Sequence, residues 1–171
     1  MKNLKSIFIT AVLLVSAQFA TAQSKVAHID VSVLMTTMPE YKNAQAQLEK
    51  IQKSYEEEYG NMVNEFQNKM KLYQEEAESG KATEALNESR AKEMDDMRGR
   101  IQAYRESSSK ELETKSGDML KPIFEKAQAA IQKVAKVKGV SYVLDATSPG
   151  TLLYVEGGMD LMEDVKKELG F

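Results

Sequence analysis

The fold of this 171-residue chain is decided by residues 62–97, MVNEFQNKMKLYQEEAESGKATEALNESRAKEMDDM. Apolar side chains on the N-terminal side of this stretch recur at the spacing of one helix face, at Met62, Phe66, Met70 and Tyr73. The spacing stops at Gly80, a residue type that readily takes the left-handed conformation found at helix ends. A second helical pattern begins at Thr83-Glu84, where Thr83 is a suitable N-terminal cap. The stretch therefore predicts two helices joined by a tight turn near Gly80.

The same helical spacing extends outward from both sides of this turn. No proline occurs in the 82 residues between Pro39 and Pro122, which favours long uninterrupted helices. Folding the chain at Gly80 brings the two apolar stripes into register as antiparallel pairs. Those pairs are Tyr41 with Met119, Leu48 with Leu112, Tyr55 with Tyr104, Tyr59 with Ile101, Met62 with Met97, Phe66 with Met94, and Tyr73 with Leu86. We expect a helical hairpin arm over residues 41–119, about 60 Å long at 1.5 Å per residue.

Gly60 and Gly99 lie opposite each other when the hairpin is built in this register. Glycine in a helix interior costs roughly 0.8–1.0 kcal/mol relative to alanine. A pair at one level therefore predicts a flexing point in the arm. Close packing of two small residues is the alternative explanation.

The two ends of the chain, residues 23–40 and 120–171, carry short strand-like segments and predict a small β-sheet body. The expected strands are Lys25–Asp30, Val140–Asp145 and Leu152–Val155. Pro122 is expected to kink the helix locally or to restart it, at the junction of arm and body. A capping-box spacing at Asp160 predicts a last helix through Leu169. The expected fold class is therefore α+β, mostly α, with one long antiparallel helical hairpin per chain.

A sheet of three short strands is close to the lower limit of independent stability and leaves its edges unpaired. Sharing the sheet between subunits would remove the edges, so the sequence predicts a homo-oligomer assembled through the body. The side chains expected in the oligomer body are Val26, Ile29, Val140, Tyr142, Leu144, Leu152 and Tyr154. The lone histidine, His28, alternates with Val26 and is expected to be a structural residue of the body.

Residues 1–22 have the organisation of a secretory signal peptide. Lys2 and Lys5 precede an apolar run, and Ala20-Thr21-Ala22 provides small residues at a cleavage site before Gln23. We therefore expect an exported chain. Loss of the two lysines leaves 21 basic and 26 acidic residues, a net charge of −5.

The composition argues against an enzyme. Without cysteine, the chain lacks thiol nucleophiles, disulfides and thiolate-ligated metals, and a single histidine cannot form a two-histidine metal motif. Gly80-Lys81 lacks the flanking residues of a phosphate-binding loop. The negative net charge argues against nucleic-acid binding. We expect no catalytic residue, cofactor or metal.

Two blocks of the sequence resemble the Skp/OmpH family of periplasmic chaperones, particularly its Bacteroidetes-type members. The first block is the signal peptide, then His28-Ile29-Asp30, then Met38-Pro39-Glu40-Tyr41 at the start of a long helix. The second is Leu120-Lys121-Pro122-Ile123, followed by Val140–Asp145, Leu152–Val155 and Asp160-Leu161. The resemblance covers essentially the whole chain after the signal peptide.

The resemblance implies a periplasmic homotrimer in which a β-sheet body carries three helical, coiled-coil arms around a central cavity. It also implies an ATP-independent holdase chaperone that encapsulates unfolded outer-membrane β-barrel proteins between these arms. The outer arm departs from the basic family members, since residues 64–96 contain five basic and nine acidic side chains. This charge argues against contact with lipid or lipopolysaccharide, and leaves apolar contact and confinement to hold the client.

Six side chains of the outer arm are the expected client contacts, namely Met62, Phe66, Met70, Tyr73, Met94 and Met97. Flexible thioethers suit surfaces that accept many partners. The same residues lie on the stripes that face the opposite helix, so a structural role in the seam is the alternative. For the whole protein, the alternative is a structural or adaptor coiled-coil protein of the cell envelope that binds one folded partner.

Overall fold

The computed structural model describes residues 26–147, 150 and 158–171. In chain order, the elements are β1 (Val26–Ile29), α1 (Val31–Thr37), α2 (Pro39–Glu78), α3 (Glu84–Lys138), β2 (Tyr142–Asp145), β3 (Met159–Asp160) and α4 (Met162–Leu169). The α+β, mostly α class predicted from the sequence is confirmed. The predicted signal peptide, residues 1–22, and the predicted strand with Leu152 and Tyr154 lie outside the described residues.

Helices α2 and α3 form the predicted antiparallel hairpin. Helix α2 begins with Pro39 in its first turn, where the missing N–H removes no helical hydrogen bond. It ends at Glu78, and Gly80 follows with a φ of +69°. The Thr83 hydroxyl accepts a 3.3 Å hydrogen bond from the Leu86 N–H in the first turn of α3. The turn near Gly80 and the Thr83 cap are therefore confirmed.

Contacts between the two helices occur along the hairpin. In its middle, the rings of Tyr55 and Tyr104 meet edge to face with centroids 6.5 Å apart, as the predicted register requires. Nearer the turn, where the sequence pairs Tyr73 with Leu86, the Arg90 guanidinium lies 4.5 Å from the centroid of the Tyr73 ring. Leu86 is 41% exposed there. A cation–π contact therefore takes the place expected for apolar packing.

Of the two effects expected at Pro122, the helix restart is wrong, because α3 runs without a break from Glu84 to Lys138 with Pro122 inside it; a local kink stays a prediction. An internal proline removes a backbone hydrogen bond and costs about 3 kcal/mol or more. From this point onward, α3 buries apolar side chains at helical spacing, at Ile123, Ala127, Ala130 and Val134. Burial of that face offsets the defect. The helix ends where predicted, before Gly139 with a φ of +65°.

The sheet has the strand order β2-β1-β3, and both outer strands run parallel to β1. Strand β1 pairs with β2 over its whole length, with Val26 opposite Tyr142. Strand β3, which is only Met159–Asp160, pairs with Ala27 and His28. The two ends of the chain meet in one small sheet, as predicted. The sequence did not predict β3, because two residues are too few to show an alternating pattern.

Hydrogen bonds join the end of β2 to the start of α1. One Asp145 carboxylate oxygen accepts from the Thr147 hydroxyl (2.6 Å), the Thr147 N–H (2.9 Å) and the Val31 N–H (3.3 Å). The Thr147 hydroxyl in turn accepts from the Ser32 N–H at 3.1 Å. Burial raises the pKa of Asp145, but the hydrogen bonds from Thr147 and Val31 outweigh it and hold the pKa below its ordinary value. The ionised carboxylate is therefore part of this junction.

The chain divides into two compact units. The terminal unit is the segment up to Thr36 together with Lys126–Phe171, and the hairpin unit is Thr37–Glu125. Among its described residues, the buried apolar side chains of the terminal unit are Ala27, Ile29, Leu34, Met35, Ala127, Ala130, Val134, Leu161 and Val165. Those of the hairpin unit are Met38, Ala44, Met97 and Ile123.

Candidate functional site

The six side chains predicted to contact a client all lie in the hairpin unit, but they differ in exposure. Met70 is 49% exposed, whereas Met97 is buried at 3%. The remaining four are half-buried, namely Met62, Phe66, Tyr73 and Met94. In the single chain, Met70 is therefore free to meet a partner, while Met97 packs inside the hairpin.

Two aromatic members of this set are covered by arginine side chains from α3. The Arg90 guanidinium lies over the Tyr73 ring, and that of Arg98 lies 5.9 Å from the centroid of the Phe66 ring. A cation over a ring face is attracted to its π electrons. A client could reach these covered ring faces only by displacing the arginines.

A continuous polar chain crosses from α2 to α3 around Tyr73. The Glu93 carboxylate accepts hydrogen bonds from the Lys69 ammonium (2.5 Å) and from the Tyr73 hydroxyl (2.7 Å). Arg90, which lies over the Tyr73 ring, pairs with the Glu76 carboxylate. We call these residues, Lys69, Tyr73, Glu76, Arg90 and Glu93, the cross-helix cluster.

The pairing within the cross-helix cluster shifts three pKa values. Hydrogen bonds from Lys69 and Tyr73 lower the pKa of Glu93 below its ordinary value. The hydrogen bond to Glu93 raises the pKa of Lys69 and also that of Tyr73. The stability from Glu93 is therefore lost as the pH falls through its lowered pKa. The stability from Lys69 and Tyr73 is lost as the pH rises through their raised pKa values.

Two exposed apolar side chains near the hairpin turn were not among the client contacts predicted from the sequence. Leu72 is 48% exposed and Leu86 is 41% exposed. Leu72 lies outside the apolar stripe of α2, and an apolar residue outside a stripe is the signal that could have identified it. With Met70, these residues give the outer hairpin three large apolar side chains that are roughly half exposed.

The middle of the hairpin has two shallow grooves, which share Tyr59, Arg105 and Ser109. Their volumes are about 670 and 500 Å³. Tyr55 and Ser108 line the smaller groove, where a small side chain occupies a seam position of α3. The Ser108 hydroxyl donates a 2.7 Å hydrogen bond to the carbonyl four residues earlier, so it needs no partner on α2. The three consecutive serines at 107–109 are the sequence signal for this gap.

Gly60 and Gly99 have open space where a side chain would stand. A Cβ added to either glycine would meet no atom of another element within 4 Å. Close packing against the opposite helix therefore does not account for either glycine. The flexing point at this level stays a prediction.

In the terminal unit, one face of the sheet carries exposed apolar side chains. Val26 is 47%, Tyr142 62% and Leu144 37% exposed. Val26 is paired with Tyr142, and Leu144 lies two residues further along β2, so all three share a face. Of the other residues expected in the oligomer body, Ile29 is buried in the single chain and Val140 is half-buried.

The lone histidine lies in the sheet. His28 is half-buried in β1, opposite Leu144 on one side and Asp160 on the other. Within residues 26–147, 150 and 158–171, no group of three or more acidic or histidine side chains could hold a metal ion. Among the helices described, none has an apolar run long enough to cross a bilayer. Their exposed apolar side chains make the outer hairpin and the sheet face the candidate functional surfaces.

A known protein family matches most of this chain. Residues 25–169 match the family model described as outer membrane protein (OmpH-like). The chain belongs to the OmpH-like family. The family suggested by the two sequence blocks is thereby confirmed.

A solved structure shares the fold of this OmpH-like chain. It is a crystal structure from Caulobacter crescentus CB15, described as that of a candidate outer membrane chaperone (OmpH-like). The two chains are 18% identical and superpose with a TM-score of 0.70 over 88% of this chain and 86% of the other. No curated protein matches the sequence of this OmpH-like chain.

Proposed function

We propose that this OmpH-like chain is an ATP-independent periplasmic holdase chaperone, which surrounds unfolded outer-membrane β-barrel proteins and prevents their aggregation. The observation that carries the proposal is the hairpin, whose helices of 40 and 55 residues present half-exposed apolar side chains near the turn. Such a surface offers many weak contacts to an unfolded chain. Family membership and the fold shared with a candidate outer membrane chaperone support the same role.

The proposed client contacts are the exposed side chains of the outer hairpin, chiefly Met70, Leu72 and Leu86. Their exposed fractions, between 41% and 49%, leave apolar area for a partner while the rest of each side chain packs on the hairpin. The excess of acidic residues over residues 64–96 argues against capture by opposite charge. Client binding in this proposal is therefore apolar and tolerates salt.

The proposed assembly is a homotrimer joined through the terminal units. The exposed apolar face with Val26, Tyr142 and Leu144 supports this assembly, because monomeric proteins rarely leave such faces open. Three hairpins in one assembly would raise the effective concentration of each weak contact. Cleavage of the predicted signal peptide before Gln23 would deliver the chain to the periplasm.

Light scattering coupled to size exclusion on residues 23–171 tests this proposal. We expect a trimer that keeps one urea-unfolded outer-membrane barrel protein soluble after dilution, without nucleotide. Adding salt should change the yield of the complex little. A stable oligomer that leaves the barrel protein to aggregate would contradict the holdase role and favour the adaptor alternative.

Two variants give this experiment its controls. Replacing residues 61–98 by a short loop should preserve the oligomer and abolish client retention. The triple variant Met70→Ser, Leu72→Ser, Leu86→Ser should weaken retention while both helices persist. Replacing three exposed polar residues of the same hairpin by serine, Gln67, Gln74 and Asn87, is the matched control and should retain the client.

A further inference from the structure

The cross-helix cluster occupies one face of each helix in the outer hairpin. Its α2 members, Lys69, Tyr73 and Glu76, follow one another at spacings of four and three residues, and its α3 members, Arg90 and Glu93, are three apart. Residues at these spacings lie on the same side of a helix. Both helices therefore contribute a short polar row, and the two rows meet across the seam.

Apolar packing in this region does not by itself select one alignment of the helices. An apolar stripe repeats with each helical turn, so a slide by one turn, about 5.4 Å, brings one apolar side chain to the place of the next. Met70 and Leu86 are also 49% and 41% exposed, so neither is held in a closed pocket. Packing of these two side chains therefore does not fix the register of the outer hairpin.

The polar rows, by contrast, fit together in one register. Because Lys69 and Tyr73 are one turn apart on α2, a one-turn slide in either direction would leave Glu93 beside only one of them. A slide that moves Arg90 toward the N-terminal end of α2 would also separate it from Glu76, and the Arg90 side chain is only 17% exposed. One nitrogen of that guanidinium, Nη1, is buried and has no hydrogen-bond partner among the described residues. A mostly buried charge that loses its partner is strongly unfavourable.

We propose that the cross-helix cluster is a register lock, whose ion pairs and ring contact select one axial alignment of α2 against α3 in the outer hairpin. Buried polar groups that fix the alignment of paired helices are a well-attested use of such residues. The lock acts within the hairpin and is independent of what the hairpin binds. When its charges are removed, the outer helices gain access to an alignment shifted by one turn.

Because the chain contains no cysteine, thiol-reactive spin labels attach only where a cysteine is introduced. Spin labels can be attached at Leu72→Cys and Ala91→Cys, which are both exposed positions. Pulsed electron paramagnetic resonance on the full mature protein then measures the distance between the two labels, which reports the alignment of the helices. With the lock intact we expect a single narrow distance within each chain, measured with labelled chains diluted by unlabelled ones so that distances between chains of the proposed trimer do not contribute. In the variant Arg90→Met, Glu93→Gln we expect a second distance population, because the slide moves one labelled position by about 5.4 Å along the hairpin axis relative to the other. A single unshifted distance in that variant would overturn the proposal.

Two further variants separate alignment from general stability. Exchanging the charges, Lys69→Glu with Glu93→Lys, keeps an ion pair across the seam and should retain the single distance. Glu75→Gln removes a carboxylate whose ion pair, with Lys71, stays within α2, and it should leave the distance unchanged. Amide exchange on each variant measures whether the helices persist. If Arg90→Met, Glu93→Gln unfolds the outer helices instead of shifting them, the cluster stabilises the helices without selecting their alignment, and the register lock is wrong.

Discussion

The two units of this protein are stabilised in different ways. In the terminal unit, Ile29, Leu34, Leu161 and Val165 are almost fully buried, so a small number of side chains forms a closed core. In the hairpin unit, Met38 is the large apolar side chain buried to that degree. The hairpin depends instead on helical hydrogen bonds, a partly exposed seam and pairwise polar contacts. Because burial contributes about 25 cal/mol per Å², single substitutions should have unequal effects in the two units.

The largest effect is expected from Leu161→Ala in the terminal unit. Leu161 is fully buried, and truncating a buried leucine lowers the free energy of unfolding by about 2–5 kcal/mol. Urea denaturation of the mature protein measures the loss. Leu72→Ala in the hairpin, at a position 48% exposed, is the matched control and should change stability by less than about 1 kcal/mol. Equal losses in the two variants would remove the distinction between the units.

The hairpin could be predicted from the sequence because its determinants are local. The apolar spacing that begins at Met62, the glycine at Gly80 and the helix cap at Thr83 are all close together in the sequence. The structure confirms each of them. The contacts of arginines with Phe66 and Tyr73 were not predictable: the helical spacing puts Arg90 at a seam position, opposite Met70, but does not show which ring a guanidinium covers. Long flexible side chains can reach back over a seam, and spacing alone does not show this.

The terminal unit could be predicted only in part. The segments that form β1, β2 and α4 were recognisable, but the parallel pairing and the central place of β1 depend on contacts between the two chain ends. Strand β3 has too few residues to show a pattern. The continuous helix through Pro122 follows from apolar burial along the rest of that helix, which outweighs a local rule about proline.

The second prediction concerns the hairpin and is a gain in the free energy of unfolding, whereas Leu161→Ala gives a loss. Gly60→Ala with Gly99→Ala should stabilise the helices by roughly 0.8–1.0 kcal/mol per site, because an added methyl group meets open space at both positions. The distribution of spin-label distances across this level of the hairpin should become narrower. Unchanged distributions in the double variant would show that the glycines are not a flexing point.

The third prediction tests the junction between β2 and α1. Asp145→Ala removes an acceptor of three hydrogen bonds and should cost about 1 kcal/mol, since the carboxylate is partly exposed. The pKa of Asp145 is lowered in the folded state, so its contribution is present at neutral pH and is lost as the pH falls through that pKa. Urea denaturation at several pH values should show wild type and variant converging in acid. A constant difference from neutral pH into acid would contradict this role.

The smallest effects are expected from exposed ion pairs, and here the two units should behave alike. Lys133 pairs with Glu168 in the terminal unit and Lys71 with Glu75 in the hairpin, each through a largely exposed ammonium. Replacing either lysine by methionine should change the free energy of unfolding by less than about 1 kcal/mol. Thermal unfolding at low and high salt measures both. A large loss in one unit alone would mean that its ion pair belongs to a wider network.

The strand order also determines when the sheet can form during synthesis of the chain. Strand β1 leaves the ribosome first, yet its neighbours β2 and β3 come after the whole hairpin. In the terminal unit, the hydrogen-bond partners Ser32 and Thr147 are separated by 115 residues in the sequence. In the hairpin, Lys69 and its partner Glu93 are separated by 24. Contacts so distant in sequence form late, because a long loop must close first. A growing chain therefore has its hairpin before its sheet. A chain that stops short of β2 displays β1 with both edges unpaired, which distinguishes an unfinished molecule from a finished one.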